Sequence, residues 1–416
     1  MLTPSTTTKA LKIGTRPEVE LLLRSIRTHI NAEDAQLLKI LLQENLDWIY
    51  LLQTAASHGV MPLLYWNLSA TCPEAFPKAI LNQLRDYFHA NALRNVYLTQ
   101  ELPKILSLLK ANEILAIPFK GPVLAALAYN NLALRQFSDL DILVHKRDFL
   151  KAKELLIGQG YQHICSFQSI YSTEQEVAHF QPCHLSGEGG RVGVDLHYEI
   201  TSKDFFLLLD VEMMWERLKT VSLFGITVLT FSPEDLLLIL CLNGTKEYWR
   251  SLERICDIAA LIHAHQELDW EYLMEQASRQ SNEVTLFTGL FLANTLLGTA
   301  LPDSVWQTIQ ATPGFSSPVW QVREWLFNEI HRPREVINFY LFNMQLIKRL
   351  QDKMRYFLYL ISPNLSDILM LPLPPLLRFF YYPIRLLRIT GKYLINPAYT
   401  NLLQFFKMLK KQVLIN

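Results

Sequence analysis

The spacing of apolar residues divides this chain into parts, and the first part has the spacing of helices. Between residues 17 and 111, apolar side chains recur at intervals of three and four, with charged residues between them. This period predicts amphipathic helices. Residues 1–16 carry no such pattern and are predicted to be a flexible tail. The predicted helices of this N-terminal region are residues 19–26, 34–45, 46–58 and 77–109.

The pattern changes in residues 112–232, where short runs of strand-forming residues alternate with helical segments. Gly160 follows one such segment and suits a helix C-terminal cap, while residues 186–190 have the composition of a turn. Strands are predicted at 114–119, 140–144, 161–167, 176–185, 191–200 and 224–229, with helices at 122–129 and 147–159. The simplest architecture for this alternation is a small mixed β-sheet flanked by helices.

Helical periodicity returns after Ser232, which precedes Pro233 and two acidic residues in the order typical of a helix N-terminus. Helices are predicted at 233–242, 247–265, 270–279, 284–298, 303–311 and 317–330. The predicted fold class is therefore α+β, with a small mixed sheet between two helical regions. The predicted division is 17–111 for the N-terminal helical region, 112–232 for the core, 233–350 for the C-terminal helical domain and 351–416 for a tail.

The tail differs in composition from everything before it. Residues 353–416 hold nine lysines and arginines against one acid, Asp367, and prolines interrupt runs of Leu, Phe and Tyr. Three interpretations stay open, namely peripheral contact with a membrane surface, binding of a polyanion, and packing of the leucines against the helical domain. The proline density argues against a transmembrane helix.

Whole-chain composition excludes several classes of protein. The 39 basic and 39 acidic residues give a net charge of +0, so there is no clear nucleic-acid signal. Five scattered cysteines without a CxxC pair indicate no zinc site and fit a reducing cytoplasm. The N-terminus lacks the apolar core of a signal peptide. Residues 284–302 are uncharged, but Thr, Asn and Gly dilute them, so a buried helix is expected there rather than a membrane span. A cytoplasmic protein is predicted, membrane-associated if the tail has that role.

Two carboxylates at alternate positions of an apolar run are the strongest chemical signal. Asp139 and Asp141 would lie on one face of a strand, ~6.6 Å apart along it. Unpaired carboxylates are costly to bury, so a cation is expected beside them. Asp195 occupies a second strand-like run. Carboxylates of this kind bridge metal ions in phosphoryl transfer, and magnesium favours oxygen ligands. The three aspartates are therefore predicted to be catalytic and to hold Mg²⁺, two ions in all.

Residues around these acids suit a phosphate ligand. Lys120 and Gly121 join a predicted strand to a helix, where Gly121 permits close backbone approach and Lys120 offers a cation to a triphosphate. Arg135 could contact a phosphate or pair with an acid. His197 shares a face with Asp195 and could orient a phosphate, a metal or Asp195, or simply be bonded within the sheet.

A turn is also expected at Asn243-Gly244, followed by Lys246, Trp249 and Arg250. These side chains could line the acceptor side of a cleft. A tryptophan in such a position more often packs a helix junction.

In this order, the motifs resemble the DNA polymerase β-like nucleotidyltransferase superfamily. The chain is more closely similar to an uncharacterised bacterial nucleotidyltransferase family with a Lys-Gly turn, an Arg-x-x-x-Asp-x-Asp strand and an Asp-x-His strand. Lys120-Gly121 replaces the superfamily's usual Gly-Ser turn, and Asn243 stands where the close family often has His. The matching stretches are residues 55–63, 94–95, 119–121, 135–144, 160–161, 195–197, 241–257 and 269–270.

The resemblance implies an EC 2.7.7-type enzyme that transfers a nucleoside monophosphate, with AMP as the default, from a nucleoside triphosphate to an unidentified hydroxyl or phosphate acceptor. Asp139, Asp141 and Asp195 would be its catalytic metal ligands, and Lys120, Gly121, Arg135 and His197 would bind the nucleotide. Two alternatives remain, a non-catalytic nucleotide-binding or regulatory module, and a membrane-surface partner in a polysaccharide or peptide biosynthetic cluster. The presence of all three acids counts against the first.

Overall fold

The structure is a computed structural model, and its described residues belong to two compact units. One unit falls within residues 1–202 and 207–330, the other within 203–206 and 331–416. The predicted division at 111, 232 and 350 stays a prediction. The flexible tail predicted at 1–16 lies outside the described residues except for Arg16. The described residues are 16–75, 77–163, 183–201, 209–223, 225–312, 316–327, 342–345, 347, 349–363 and 375–390.

Helices form the N-terminal region, as the apolar period predicts. Side-chain oxygens of Asn31 and Asp47 accept backbone N–H groups at the starts of two of them. One helix was not predicted, because its consecutive apolar residues 61–64 are all buried and therefore show no amphipathic period. The helices are α1 Pro17–Ser25, α2 Ala32–Leu41, α3 Trp48–Ser57, α4 Met61–Thr71 and α5 Lys78–Ala111.

The predicted small mixed sheet is present, and the α+β fold class is confirmed. Its strand order is β1-β2-β5-β4-β3, in which β2 and β5 are parallel and the other pairs are antiparallel. Residues 164–182, where parts of two predicted strands fall, lie outside the described residues. The strands are β1 Ala116–Pro118, β2 Asp139–Val144, β3 Gln162–His163, β4 Cys183–Ser186 and β5 Gly193–His197, with helices α6 Gly121–Tyr129 and α7 Phe149–Gly158 between them.

One face of this sheet belongs to the hydrophobic core. Leu140, Ile142 and Val144 of β2 are buried together with Val194 and Leu196 of β5, against apolar residues of α5 and α7. Because side chains alternate across a strand, Asp139, Asp141, Asp195 and His197 lie on the opposite face. The acids are therefore held on a sheet whose other side is anchored in the core.

A short helix and a hairpin follow the sheet. The helix is α8 Val211–Trp215, and the hairpin pairs β6 Lys219–Leu223 with β7 Ile226–Thr230. Only β7 was predicted. β6 was missed because its residues are mostly exposed and include only two apolar side chains, so no buried run marks it.

Among the described residues, six further helices belong to the first unit, and the first two differ most from their predicted bounds. The predicted turn at Asn243-Gly244 is wrong, because α9 continues to Lys246. Trp249 is fully buried at the junction with the next helix, where its ring would clash with a Cβ on Gly244. Tyr248 and Trp249 both have positive φ, so the next helix cannot begin at 247. The helices are α9 Pro233–Lys246, α10 Leu252–Ala264, α11 Trp270–Arg279, α12 Glu283–Leu297, α13 Asp303–Ala311 and α14 Ser316–Phe327.

The segment predicted as a buried helix at 284–298 is α12, and most of its residues are buried. Within the described ranges, no helix combines the length and the apolar character that crossing a membrane requires. The second unit contains α15 Leu350–Ile361, a 3₁₀ segment Pro375–Phe380 and α16 Tyr381–Thr390. The remainder of the predicted tail, at 364–374 and 391–416, lies outside the described residues.

Candidate active-site cleft

The parallel pairing of β2 and β5 brings carboxylates from distant parts of the sequence together. Asp141 is the direct partner of Asp195 in this register, and His197 follows on the same face. Ligand atoms of Asp141, Asp195 and His197 all lie within 4.8 Å of one another. Two carboxylates and an imidazole are donors that a divalent cation accepts, so the donor set fits a metal.

Asp139 lines the same cleft but is not one of this group of three. Its predicted role as a metal ligand stays a prediction. Burial raises the pKa of Asp139 to about 6, and the neighbouring charges of Asp141 and Asp195 add to the effect, against Lys120 and Arg135. A cation placed among crowded carboxylates of this kind would stabilise their ionised forms.

Asp141 is held in its ionised form by two hydrogen-bonding neighbours. Lys120 Nζ and His197 Nε2 each lie 3.2 Å from its Oδ1. Burial alone would raise the pKa of Asp141, but the Lys120 cation and the His197 hydrogen bond outweigh it and hold the pKa well below its usual range. A buried carboxylate that stays ionised at neutral pH is in the form that a metal binds.

His184 is a site residue that sequence reasoning missed. It is the register partner of Asp195 across β4 and β5, and its Nδ1 lies 2.6 Å from Asp195 Oδ1. This hydrogen bond raises the pKa of His184. Alternation in β4 buries Cys183 and Leu185 and leaves His184 on the cleft face. Both strands were predicted from the sequence, but their pairing, which places His184 beside Asp195, was not.

The acids open into a cleft of about 600 Å³ between the sheet and two helical walls. One wall comes from the last turn of α9 and the first turn of α10, and the other comes from α5. Lys246 lines the first wall, and its predicted place on the acceptor side stays a prediction. Its pKa is lowered by burial and by the charge of Lys120. Further wall residues are Asn91, Arg94, Asn243, Glu247, Glu253 and Arg254.

Gly121 brings the start of α6 close to β2. Its φ is +51°, and a Cβ there would lie 3.1 Å from the Asp139 carbonyl oxygen. The predicted close approach of the backbone is therefore present, and it is made toward β2. Whether the adjacent α6 N-terminus binds phosphate stays a prediction.

We expect Gly121→Ala to destabilise the protein by about 2 kcal/mol, because it combines a left-handed backbone with a crowded Cβ. Gly189→Ala is a matched control, since Gly189 has φ +62° but no atom within 4 Å of a Cβ. Urea unfolding of both variants measures the difference. Equal losses would show that the approach to Asp139 is not tight.

Arg135 is bound to a buried carboxylate rather than directed at the acids. Its Nε and Nη2 donate to the two oxygens of Asp257 at 2.8 and 2.9 Å, and Tyr129 also donates to Asp257 at 2.9 Å. The Asp257 and Glu253 charges outweigh burial and raise the pKa of Arg135 above its usual range. This pair of parallel hydrogen bonds between Arg135 and Asp257, called the fork below, attaches the loop before β2 to α10. The predicted phosphate contact of Arg135 stays a prediction.

Two asparagines of α5 hold the same loop from the other side. Asn91 Nδ2 donates to the carbonyl oxygens of Ala133 and Arg135 at 2.9 and 3.2 Å. Asn95 Nδ2 donates to those of Leu132 and Arg135 at 2.6 and 2.7 Å. The loop that delivers Asp139 to the cleft is thus fixed by polar contacts on both sides.

Comparisons with known proteins bear on this arrangement. Residues 44–298, more than half of the chain, match the profile of a family described as uncharacterised nucleotidyltransferase. Among solved structures, an antigenic nucleotidyltransferase-like protein from Paracoccidioides brasiliensis is similar over 51% of this chain and 96% of that protein, with 16% sequence identity and a TM-score of 0.29. No curated protein matches the chain.

Proposed function

The chain belongs to the uncharacterised nucleotidyltransferase family, as its ordered motifs predicted, and we propose that it transfers a nucleoside monophosphate from a nucleoside triphosphate to a hydroxyl or phosphate acceptor. The observation that carries the proposal is the approach of the Asp141, Asp195 and His197 ligand atoms within 4.8 Å in a polar cleft. AMP is the transferred group that we propose, by analogy with the superfamily.

Asp141, Asp195 and His197 would hold a divalent cation, magnesium in this proposal, and Asp139, which lies on the same strand face, would be a ligand for a second ion. When bound, such ions neutralise charge on the phosphates and lower the pKa of an attacking hydroxyl. His184 holds one oxygen of Asp195 through its 2.6 Å hydrogen bond, which limits the rotation of that carboxylate.

Lys120 and Lys246 would bind the phosphates of the nucleotide. Both line the cleft, one from the sheet side and the other from α9. The charge of Lys120 contributes to the lowered pKa of Lys246, so the two cations repel each other across the cleft. A triphosphate between them would relieve this repulsion.

In the proposed reaction, an acceptor oxygen forms a bond to the α-phosphorus as the bond from that phosphorus to the β-phosphate oxygen breaks. Pyrophosphate leaves, and the acceptor proton passes to a carboxylate of the cleft. Lys120 and Lys246 would balance the charge that builds up on the leaving pyrophosphate.

The position of the label in the products tests this chemistry. The full chain is incubated with Mg²⁺, a fractionated metabolite extract and triphosphates labelled at either the α- or the γ-phosphorus. We expect the α-label to enter a new product and the γ-label to leave as pyrophosphate. Transfer of the γ-label would identify a phosphoryl transferase instead, and binding of the nucleotide without any release would indicate a regulatory module.

Lys246→Gln is expected to raise the KM for the triphosphate about tenfold, with a smaller change in kcat, because one charged contact to the phosphates is lost. Lys219→Gln, which removes an exposed lysine on β6, serves as the control and should leave both constants unchanged. Steady-state rates of pyrophosphate release supply the two constants. An unaltered KM in Lys246→Gln would remove this lysine from the phosphate site.

A further inference from the structure

In the second unit, helix α15 carries a stripe of exposed apolar side chains. Leu350, Met354, Phe357 and Leu358 are between 48% and 73% exposed. They stand at positions i, i+4, i+7 and i+8, so they share one face of the helix. Tyr356, on a different side of the same helix, is buried. The helix thus packs through one side and leaves an apolar stripe in solvent.

The segment at 375–390 has the same character. Arg385 Nε donates to the carbonyl oxygen of Leu360, which joins α16 to α15. Tyr381 is buried, while six large apolar residues are between 41% and 74% exposed. Together, α15 and this segment hold ten of the 22 exposed large apolar side chains in the described part of the chain. The six are Leu377, Phe379, Phe380, Tyr382, Leu386 and Leu387.

Basic residues accompany this apolar surface. On α15, Lys353 and Arg355 lie on either side of the stripe by helical position, and Arg378 is exposed in the 3₁₀ segment. Arg385 and Arg388 follow on α16. Asp352 is the one acid within 350–361 and 375–390. Lysine and arginine side chains beside an apolar stripe can reach lipid headgroups while the apolar residues enter the acyl boundary.

We propose that this apolar and basic surface, formed by residues 350–361 and 375–390, docks onto an anionic phospholipid membrane. A polyanion such as nucleic acid would be recognised by the cations but gives no reason for ten exposed apolar side chains. A membrane surface uses both, since apolar burial and attraction to anionic headgroups add. The proposal is independent of the proposed catalytic activity.

Flotation of the full chain with lipid vesicles tests it. We expect the protein to float with vesicles that contain phosphatidylglycerol, to float at least tenfold less with phosphatidylcholine alone, and to be released at about 0.5 M sodium chloride. The variant Leu350→Glu/Phe357→Glu/Leu387→Glu should lose at least tenfold in vesicle affinity. Ile49→Glu/Leu93→Glu/Leu150→Glu is a matched control, since these exposed apolar residues lie in the first unit.

A second variant tests the proposal even if the first one misfolds. Lys353→Gln/Arg355→Gln/Arg378→Gln keeps the apolar stripe, and each substitution should weaken binding to anionic vesicles roughly fivefold. Circular dichroism and the unfolding midpoint confirm that each variant is folded. Absence of flotation, or equal flotation of all variants, would overturn the proposal. A concentration-dependent dimer that the apolar variant abolishes would also overturn it and assign the surface to self-association.

Discussion

Asp141→Asn is expected to reduce nucleotidyl transfer by about 1000-fold or more. The substitution keeps the shape of the side chain but removes the charge that Lys120 and His197 both contact. A metal at a phosphoryl centre supplies several kcal/mol of charge stabilisation, and each 1.36 kcal/mol is a tenfold change in rate. The measurement is the initial rate of pyrophosphate release at saturating triphosphate and Mg²⁺.

Asp34→Asn is a suitable control for Asp141→Asn. Asp34 is also buried and is paired with two cations, Arg24 and Arg27, but it does not line the cleft. We expect Asp34→Asn to lower the unfolding midpoint and to leave the rate per folded molecule unchanged. Retention of more than a tenth of the wild-type rate in Asp141→Asn would contradict the assigned site.

Asp257→Asn is expected to destabilise the first unit by about 3 kcal/mol. Removing one partner of a buried ion pair leaves the other charge uncompensated, which costs 3–5 kcal/mol in measured cases. We expect the lower end of this range because Glu253 Oε1, 3.5 Å from the Arg135 guanidinium, still compensates part of the Arg135 charge. Urea unfolding monitored by tryptophan fluorescence measures the loss.

A double variant separates the effect of the unpaired Arg135 charge from the effect of lost side-chain packing. Arg135→Met/Asp257→Leu removes both charges and should be more stable than Asp257→Asn, because the buried Arg135 charge is removed together with its main partner and the remaining Glu253 is partly exposed. Glu275→Gln, at an exposed pair with Arg279, is the control and should change stability by less than about 0.5 kcal/mol. A loss below about 1 kcal/mol in Asp257→Asn would show that the fork does not secure the loop before β2.

The sequence was most informative where alternation decides the face of a strand. Asp139 and Asp141 interrupt an apolar run at period two, so their shared face could be inferred before any tertiary contact was known. The family motifs then related Asp195 and His197 to them. The parallel register that places Asp195 opposite Asp141 was beyond local reasoning, because strand pairing is a tertiary property.

Other residues were misjudged or missed for related reasons. Asn243-Gly244 has the composition of a turn, but both residues lie inside α9. Position 244 needs a glycine because the ring of Trp249 occupies the space that a Cβ would need. His184 looked like an ordinary strand residue until β4 paired with β5. Asp257 lies 122 residues from Arg135, and their contact depends on how α10 docks. Local patterns thus predicted most helices and strands and drew attention to the acids, whereas the residues that contact the acids and the loop before β2 depend on tertiary packing.

Whether Asp141, Asp195 and His197 hold a divalent cation for a nucleotide can be tested without knowledge of the acceptor. Crystals of the full chain grown with Mn²⁺ and a non-hydrolysable triphosphate would locate the metal by its anomalous scattering. We expect a peak within about 2.5 Å of the Asp141 and Asp195 carboxylates and the His197 ring, with the phosphates beside it, and no peak in Asp195→Asn. A nucleotide bound without metal at these residues, or a metal peak unchanged in Asp195→Asn, would contradict it.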